Sequence, residues 1–240
     1  MKILAITGNA HHGKTTLAEQ LEIDAPDYGF IPYKTAFAKK LKEIVKEILN
    51  VEKLTLEEYK KIEEPDIDLT YTEAYFRIED WIKSMKKRYG KLDVDLSSNA
   101  LKLKISEVAS YAFTYHHSLG SKVAMARLIL QKFGTEIGRY IIPTIWIDFL
   151  IEEIGTVKHS EDTLFIIDDL RFIDESEVLG NLFYEELEII GVTRPDVSSY
   201  NHSSEDGIAT ILERASLVLN VSLEEIPQES KNILEFISDS

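Results

Sequence analysis

The residues Gly8-Asn9-Ala10-His11-His12-Gly13-Lys14-Thr15 fit the pattern G-x-x-x-x-G-K-[ST]. Chemistry explains the spacing. Glycines let the backbone curl so that successive N–H groups face one anion, and a helix that starts at the loop adds its positive end. Lys14 is placed to reach the β- and γ-phosphates of a nucleoside triphosphate, with Thr15 as a ligand for Mg²⁺. In such a loop without nucleotide the lysine is expected to face solvent. His11 and His12 fill variable positions, where adjacent imidazoles suggest a metal but solvated loop residues are the simpler reading. A second group is Asp168-Asp169, at the end of the apolar run Thr163-Leu164-Phe165-Ile166-Ile167. A carboxylate at a strand end can hold Mg²⁺ or accept a proton from an attacking oxygen, and it can equally cap a helix. Four arginines, Arg127, Arg139, Arg171 and Arg194, form the third group. A guanidinium grips phosphate through a planar fork, and it also serves in surface ion pairs; for Arg171 the competing partner is Glu175. Trp81 and Trp146 can stack on a base, but burial in a core is the more usual use of the residue.

The elements that carry these groups follow from apolar periodicity. Lys2 to Thr7 is a continuous apolar run, suited to a strand buried on both faces. A helix is expected from Lys14 to about Leu21, then a short strand from Phe30 to Ala36. Phe37, Leu41, Ile44, Val45, Ile48 and Leu49 recur at three and four residues, which predicts an amphipathic helix over 37–49. Residues 51–122 lack strand runs and are expected to form a helical insertion, with a turn near Gly90 and a loop around 95–99. Helix should follow from Ala124, be punctuated by Gly134 and resume to about Ile154. Further strands are expected at 163–167, 188–193 and 216–220. A polar loop over 196–206 and a short helix from Ile208 to Arg214 lie between the last two. The chain should finish in a turn capped by Ser222 and Glu225. Strands separated by helices predict an α/β fold of the P-loop NTPase type, a doubly wound parallel sheet with a helical insertion, as a single domain over 1–240.

Composition narrows the function. With 44% apolar residues in 240, a large core is available, and the absence of cysteine excludes disulfides, thiolate metal sites and a cysteine nucleophile. A formal net charge of −15 suits neither a nucleic-acid backbone nor a repair enzyme. No apolar stretch approaches the roughly 20 residues needed to span a bilayer, and the N-terminus reads as a strand, not a signal peptide. The expectation is a soluble, cytoplasmic protein with no nucleic-acid or membrane partner; a homodimer is compatible with the sequence.

Ordered blocks then give a resemblance. Besides the loop, they are Phe37-Ala38-Lys39-Lys40-Leu41-Lys42, Arg127-Leu128-Ile129-Leu130-Gln131-Lys132-Phe133-Gly134-Thr135-Glu136 with Gly138-Arg139 and Trp146, Asp169-Leu170-Arg171 with Glu175, Arg194-Pro195, and His202-Ser203-Ser204-Glu205. In this order they resemble the deoxynucleoside monophosphate kinases of tailed phages, among the adenylate-kinase-like P-loop kinases. The resemblance implies ATP-dependent phosphorylation of a (deoxy)nucleoside 5'-monophosphate, with ATP and Mg²⁺ bound, in a host cytoplasm if the chain is phage-encoded. Backbone amides from Asn9 to Thr16 and Lys14 would hold the donor, with Arg194 closing over it. Arg171, Arg139, Arg127 and Lys42 would meet the acceptor. Asp169, then Asp168, would orient metal or acceptor, and residues 51–122 would form part of the acceptor side. Dephospho-coenzyme A kinase shares the general plan. A nucleotide-binding regulatory module without transfer is the alternative of another class, and no N-K-x-D guanine-reading element favours a GTPase switch.

Overall fold

The computed structural model describes residues 1–51, 69–90, 95, 97–117, 122–158, 160–195 and 207–238. They fall into two compact units, Met1–Phe37 with Ile147–Ser240, and Ala38–Trp146.

The first unit is built on five parallel strands: β1 (Lys2–Thr7), β2 (Ile31–Thr35), β3 (Thr163–Leu170), β4 (Leu187–Thr193) and β5 (Leu217–Asn220). Their order is β2-β3-β1-β4-β5, so β1 lies at the centre with β3 and β4 beside it. Alternate residues of a strand face opposite sides. Leu4, Ile6, Leu164, Ile166, Ile190 and Val192 cover one side, where α1 (Lys14–Asp24) and α9 (Ile226–Ser238) bury Leu17, Leu21, Ile233 and Leu234 against them. Truncating one of these leucines to alanine typically costs about 2–5 kcal/mol. Gly191 belongs to the opposite side, and there Leu212 of α8 (Ile208–Glu213) comes so close that a methyl on Gly191 would overlap it. Helices therefore flank both faces, and the unit has the α/β architecture of a P-loop kinase. At the β2 edge, Tyr33 and Thr35 donate to the two oxygens of Glu153 at 2.9 and 3.1 Å. These bonds dock α6 (Ile145–Thr156).

The second unit is helical among its described residues. It contains α2 beyond its first residue (the helix spans Phe37–Leu49), α3 (Tyr71–Tyr89), α4 (Asn99–His117), α5 (Lys122–Gln131) and a π-helical segment, Lys132–Arg139. A reciprocal cap starts α3: Thr70 Oγ1 accepts from Glu73 N and Glu73 Oε2 accepts from Thr70 N. Trp81 and Trp146 are both buried, with rings 6.5 Å apart and nearly parallel. They are core residues here.

Two expectations are corrected and one helix is added. Gly134 does not punctuate a helix. The π segment runs through it, and regular structure breaks only at Ile142-Pro143-Thr144, where proline supplies no N–H. The reason is packing: a methyl on Gly134 would stand 2.7 Å from Leu41 Cδ2. The segment after β3 is a helix, α7 (Ile173–Leu182), and the closing turn is the 13-residue α9. Ser222 and Glu225 do interact, through Ser222 N donating to Glu225 Oε2 at 2.7 Å. The expected polar loop over 196–206 and the block His202 to Glu205 lie outside the described residues, as do residues 52–68.

Candidate active site

In register, Thr7 stands between Leu170 of β3 and Gly191 of β4, so the loop that follows leaves the sheet between two strand ends. Open α/β sheets take their ligands at that edge. Gly8 has φ 144°, and a methyl there would overlap the carbonyl oxygen of Val192, so only glycine lets the chain turn this close to β4. Gly13, at φ 93°, opens α1, and His11 also takes a positive φ of 66°. The loop thus carries its curl in backbone angles. Thr15 and Thr16 are exposed on the first turn of α1.

Lys14 is not solvent-facing. It is 8% exposed, and its Nζ donates to Gly8 O at 2.6 Å and to Asn9 O at 2.8 Å. The ammonium satisfies loop carbonyls that would otherwise lie buried around it, and in return the loop keeps the charge inside its own curl. His12 is buried and His11 exposed. Among the described residues no group of three or more His, Asp or Glu is placed to hold a metal ion.

The strand ends bring further groups to the same unit. Asp168 and Asp169 lie within β3, which runs three residues beyond the apolar run that announced it, to Leu170. Both are half-buried. Asp169 Oδ1 accepts from the backbone N–H of Phe37, the first residue of α2, at 2.8 Å. One carboxylate oxygen is thereby committed to a helix start, a capping use of the kind the residue type allows. On the β3 side Arg171 is half-buried. Glu175, 2% exposed, turns its Oε2 to the backbone N–H groups of Arg171 and Phe172 at 3.0 and 3.1 Å. The acid therefore shapes the main chain that presents Arg171. On the β4 side Arg194 Nη1 donates to His11 O at 3.4 Å, which lays the guanidinium along the loop.

Lys14 and Arg194 thus lie on or along the loop, and Asp168, Asp169 and Arg171 stand at the end of the neighbouring strand in the same unit. A sequence model of the deoxynucleotide monophosphate kinase family matches residues 2–229. The chain belongs to that family. Membership carries with it a phosphotransferase class and a nucleoside monophosphate as the substrate type. No curated protein matches the chain. No described helix is long and apolar enough to cross a membrane.

The other cations expected at the site of this kinase lie in the second unit. Lys42 on α2 and Arg127 on α5 are exposed, and Arg139, at the end of the π segment, is half-buried. The motifs did not disclose how that segment is held. Trp146 Nε1 donates to Gly134 O at 3.0 Å, and its ring fills the space where a side chain on Gly138 would stand. Lys132 Nζ lies 2.6 Å from Glu136 and 3.1 Å from Glu107 of α4, while Lys104 lies 3.2 Å from Glu136. Lys132 titrates well above the usual lysine range because Glu136 and Glu107 accept its hydrogen bonds. Glu136 titrates below the usual carboxylate range, chiefly through the hydrogen bond from Lys132. The sequence signal was two glycines four apart, immediately before an arginine.

Proposed function

We propose that the protein transfers the γ-phosphoryl group of ATP to the 5'-phosphate of a deoxynucleoside monophosphate. An acceptor phosphate oxygen forms a bond to the γ-phosphorus as the bond to the β-phosphate oxygen breaks, giving the diphosphate and ADP. The observation that carries the reading is the Gly8–Thr15 loop with Lys14 held inside it, in a chain of this family.

Two charged phosphates must be brought together, so the protein's task is mostly positioning and charge neutralisation. The curled backbone from Asn9 to Thr16 offers N–H groups to the donor phosphates. Lys14 exchanges its two carbonyl partners for phosphate oxygens. Arg194, already lying along the loop at His11, covers the donor from the β4 side. Arg171, on the β3 side, neutralises phosphate charge with a fork that meets two oxygens at once. Lys42, Arg127 and Arg139 are the helical unit's candidates for the acceptor. Hard oxygen donors suit Mg²⁺, and this unit offers the exposed Thr15 hydroxyl and the half-buried carboxylates of Asp169 and Asp168, neighbours in β3 of which only one can face the loop. When bound, the ion supplies positive charge to the phosphates.

A coupled ADP assay over the four deoxynucleoside monophosphates, their ribose counterparts and dephospho-coenzyme A tests the proposal. Acceptor-dependent ADP release with at least one deoxynucleoside monophosphate is expected. Release only with dephospho-coenzyme A, or tight ATP binding with no release on any acceptor, would overturn it.

A further inference from the structure

The Lys132–Arg139 segment departs from the α form just before Arg139. π turns are rare, and a helix bends both at such turns and where a side chain reaches into its hydrogen-bond ladder. Here both features meet at one side chain. The indole N–H of Trp146 takes the carbonyl of Gly134, and the indole ring lies against Gly138, one turn further on. Two residues without side chains make the groove, and Trp146 fills it. Ion pairs of Lys132 with Glu107 and of Glu136 with Lys104 tie the segment to α4. In an α-helix each residue turns the chain by about 100°, so a widened turn changes the heading of the residues beyond it. Arg139 comes directly after Gly138 and takes that altered heading.

We infer that Trp146 is a positioning residue: its indole, wedged in the Gly134/Gly138 groove, holds the widened turn and so aims Arg139 at the acceptor's phosphate. The second half of that statement rests on the acceptor role given to Arg139 under the proposed function. The first half stands on geometry within the helical unit alone. Phe133, beside Gly134, packs on Trp81 at 4.8 Å between ring centroids, and Trp81 in turn stacks on Trp146. Trp81 is therefore a built-in control. It is as deeply buried as Trp146, yet its indole nitrogen has no hydrogen-bond partner among the described residues.

The experiment compares Trp146→Phe with Trp81→Phe in the full chain. Both remove buried indole; only the first removes the bond to Gly134 O. Amide hydrogen exchange reads the wedge without any need for activity. Trp146→Phe should lose protection over residues 137–142, and Trp81→Phe should not. Steady-state kinetics read the consequence. Misplacing a substrate-positioning group by a fraction of an ångström to one ångström costs up to about 100-fold. Trp146→Phe should therefore raise KM for the deoxynucleoside monophosphate about tenfold, with KM for ATP unchanged within about twofold. Gly138→Ala, which crowds the ring from the other side, should reproduce both effects. Unchanged protection in Trp146→Phe overturns the wedge. Equal KM changes in both tryptophan variants reduce Trp146 to a packing residue and overturn the positioning role. A wild-type enzyme that turns over no monophosphate would sink the kinase reading instead, and the exchange data would still decide the wedge.

Discussion

At the phosphate loop, geometry is written in the main chain. Gly8 and Gly13 take backbone angles that other residues resist. Even the Lys14 side chain is held by carbonyls of its own loop. In the helical unit the arrangement is the reverse. There an indole, a glycine groove and a set of lysine–glutamate pairs, reaching in from separate helices, hold one distorted turn. The first design is local and tolerates change in its surroundings. The second is assembled from residues up to about 40 positions apart and depends on each of them. Main-chain sites should therefore break in the chemical step when one special residue is lost. Side-chain sites should erode, with binding and pH response changing by degrees.

The sharpest way to break this contrast is Lys14→Ala. Removing one preorganised charge from a transferring phosphoryl group typically costs about 10²–10³ in turnover. The variant also leaves the carbonyls of Gly8 and Asn9 without their ammonium, so a stability loss of about 1 kcal/mol should accompany it. Turnover within twofold of wild type in the folded variant would end the donor assignment.

Asp169 lies between the two designs, since it is a side chain serving a main-chain N–H. Asparagine keeps an acceptor oxygen for Phe37 N–H and loses the charge, whereas alanine loses both. If the carboxylate also serves the metal, both variants should lower kcat about 10–100-fold, the range seen when groups that tune a metal are replaced. Only the alanine variant should also lower the melting temperature. Wild-type kcat in Asp169→Asn would give the metal to Asp168 and leave Asp169 as a helix cap.

The smallest effect is expected from the lysine–glutamate set. Lys132 and Lys104 hold the Glu136 carboxyl below its unfolded value. The stability this contributes is present at neutral pH and is lost as acid protonates Glu136, from about pH 4.3 downward. A partly exposed set of this kind is worth about 0.2–1 kcal/mol. Glu136→Gln should therefore melt slightly below wild type at pH 7, and the gap should close by about pH 3. A gap that persists into acid would mean that Glu136 acts through packing and not through charge.

The same contrast explains which features could be read from the chain. The loop, its strand and its helix are contiguous, and their chemistry needs particular residue types at fixed spacing, so residues 2–21 were legible. So was α2, whose apolar stripe matches its observed span, Phe37–Leu49. The commitment of Asp169 to Phe37 N–H was not legible, because it joins residues 132 positions apart. The π turn was missed for a related reason. A glycine inside a helical pattern signals a break when only its own flexibility is considered, and the side chains that make it a close-packing position, Leu41 and Trp146, come from elsewhere. Helix α7 escaped because its N-terminus is fixed by Glu175 binding back to residues 171 and 172, with Phe172, and no Ser, Thr, Asp or Asn, at the cap position.

The inward-folded Lys14 also bears on the rhythm of turnover. An ammonium already seated on Gly8 O and Asn9 O gives the loop an occupant of its own, which under the proposed donor role an arriving triphosphate would have to draw away. The exchange subtracts from affinity, since two short hydrogen bonds are surrendered for each nucleotide accepted. Under that proposed role the same amount would return at the end of the cycle, since the lysine has a ready seat on Gly8 O and Asn9 O once the product leaves. In the proposed donor role the loop would compete with its own ligand at one point of contact, a competition that would shorten the residence of product.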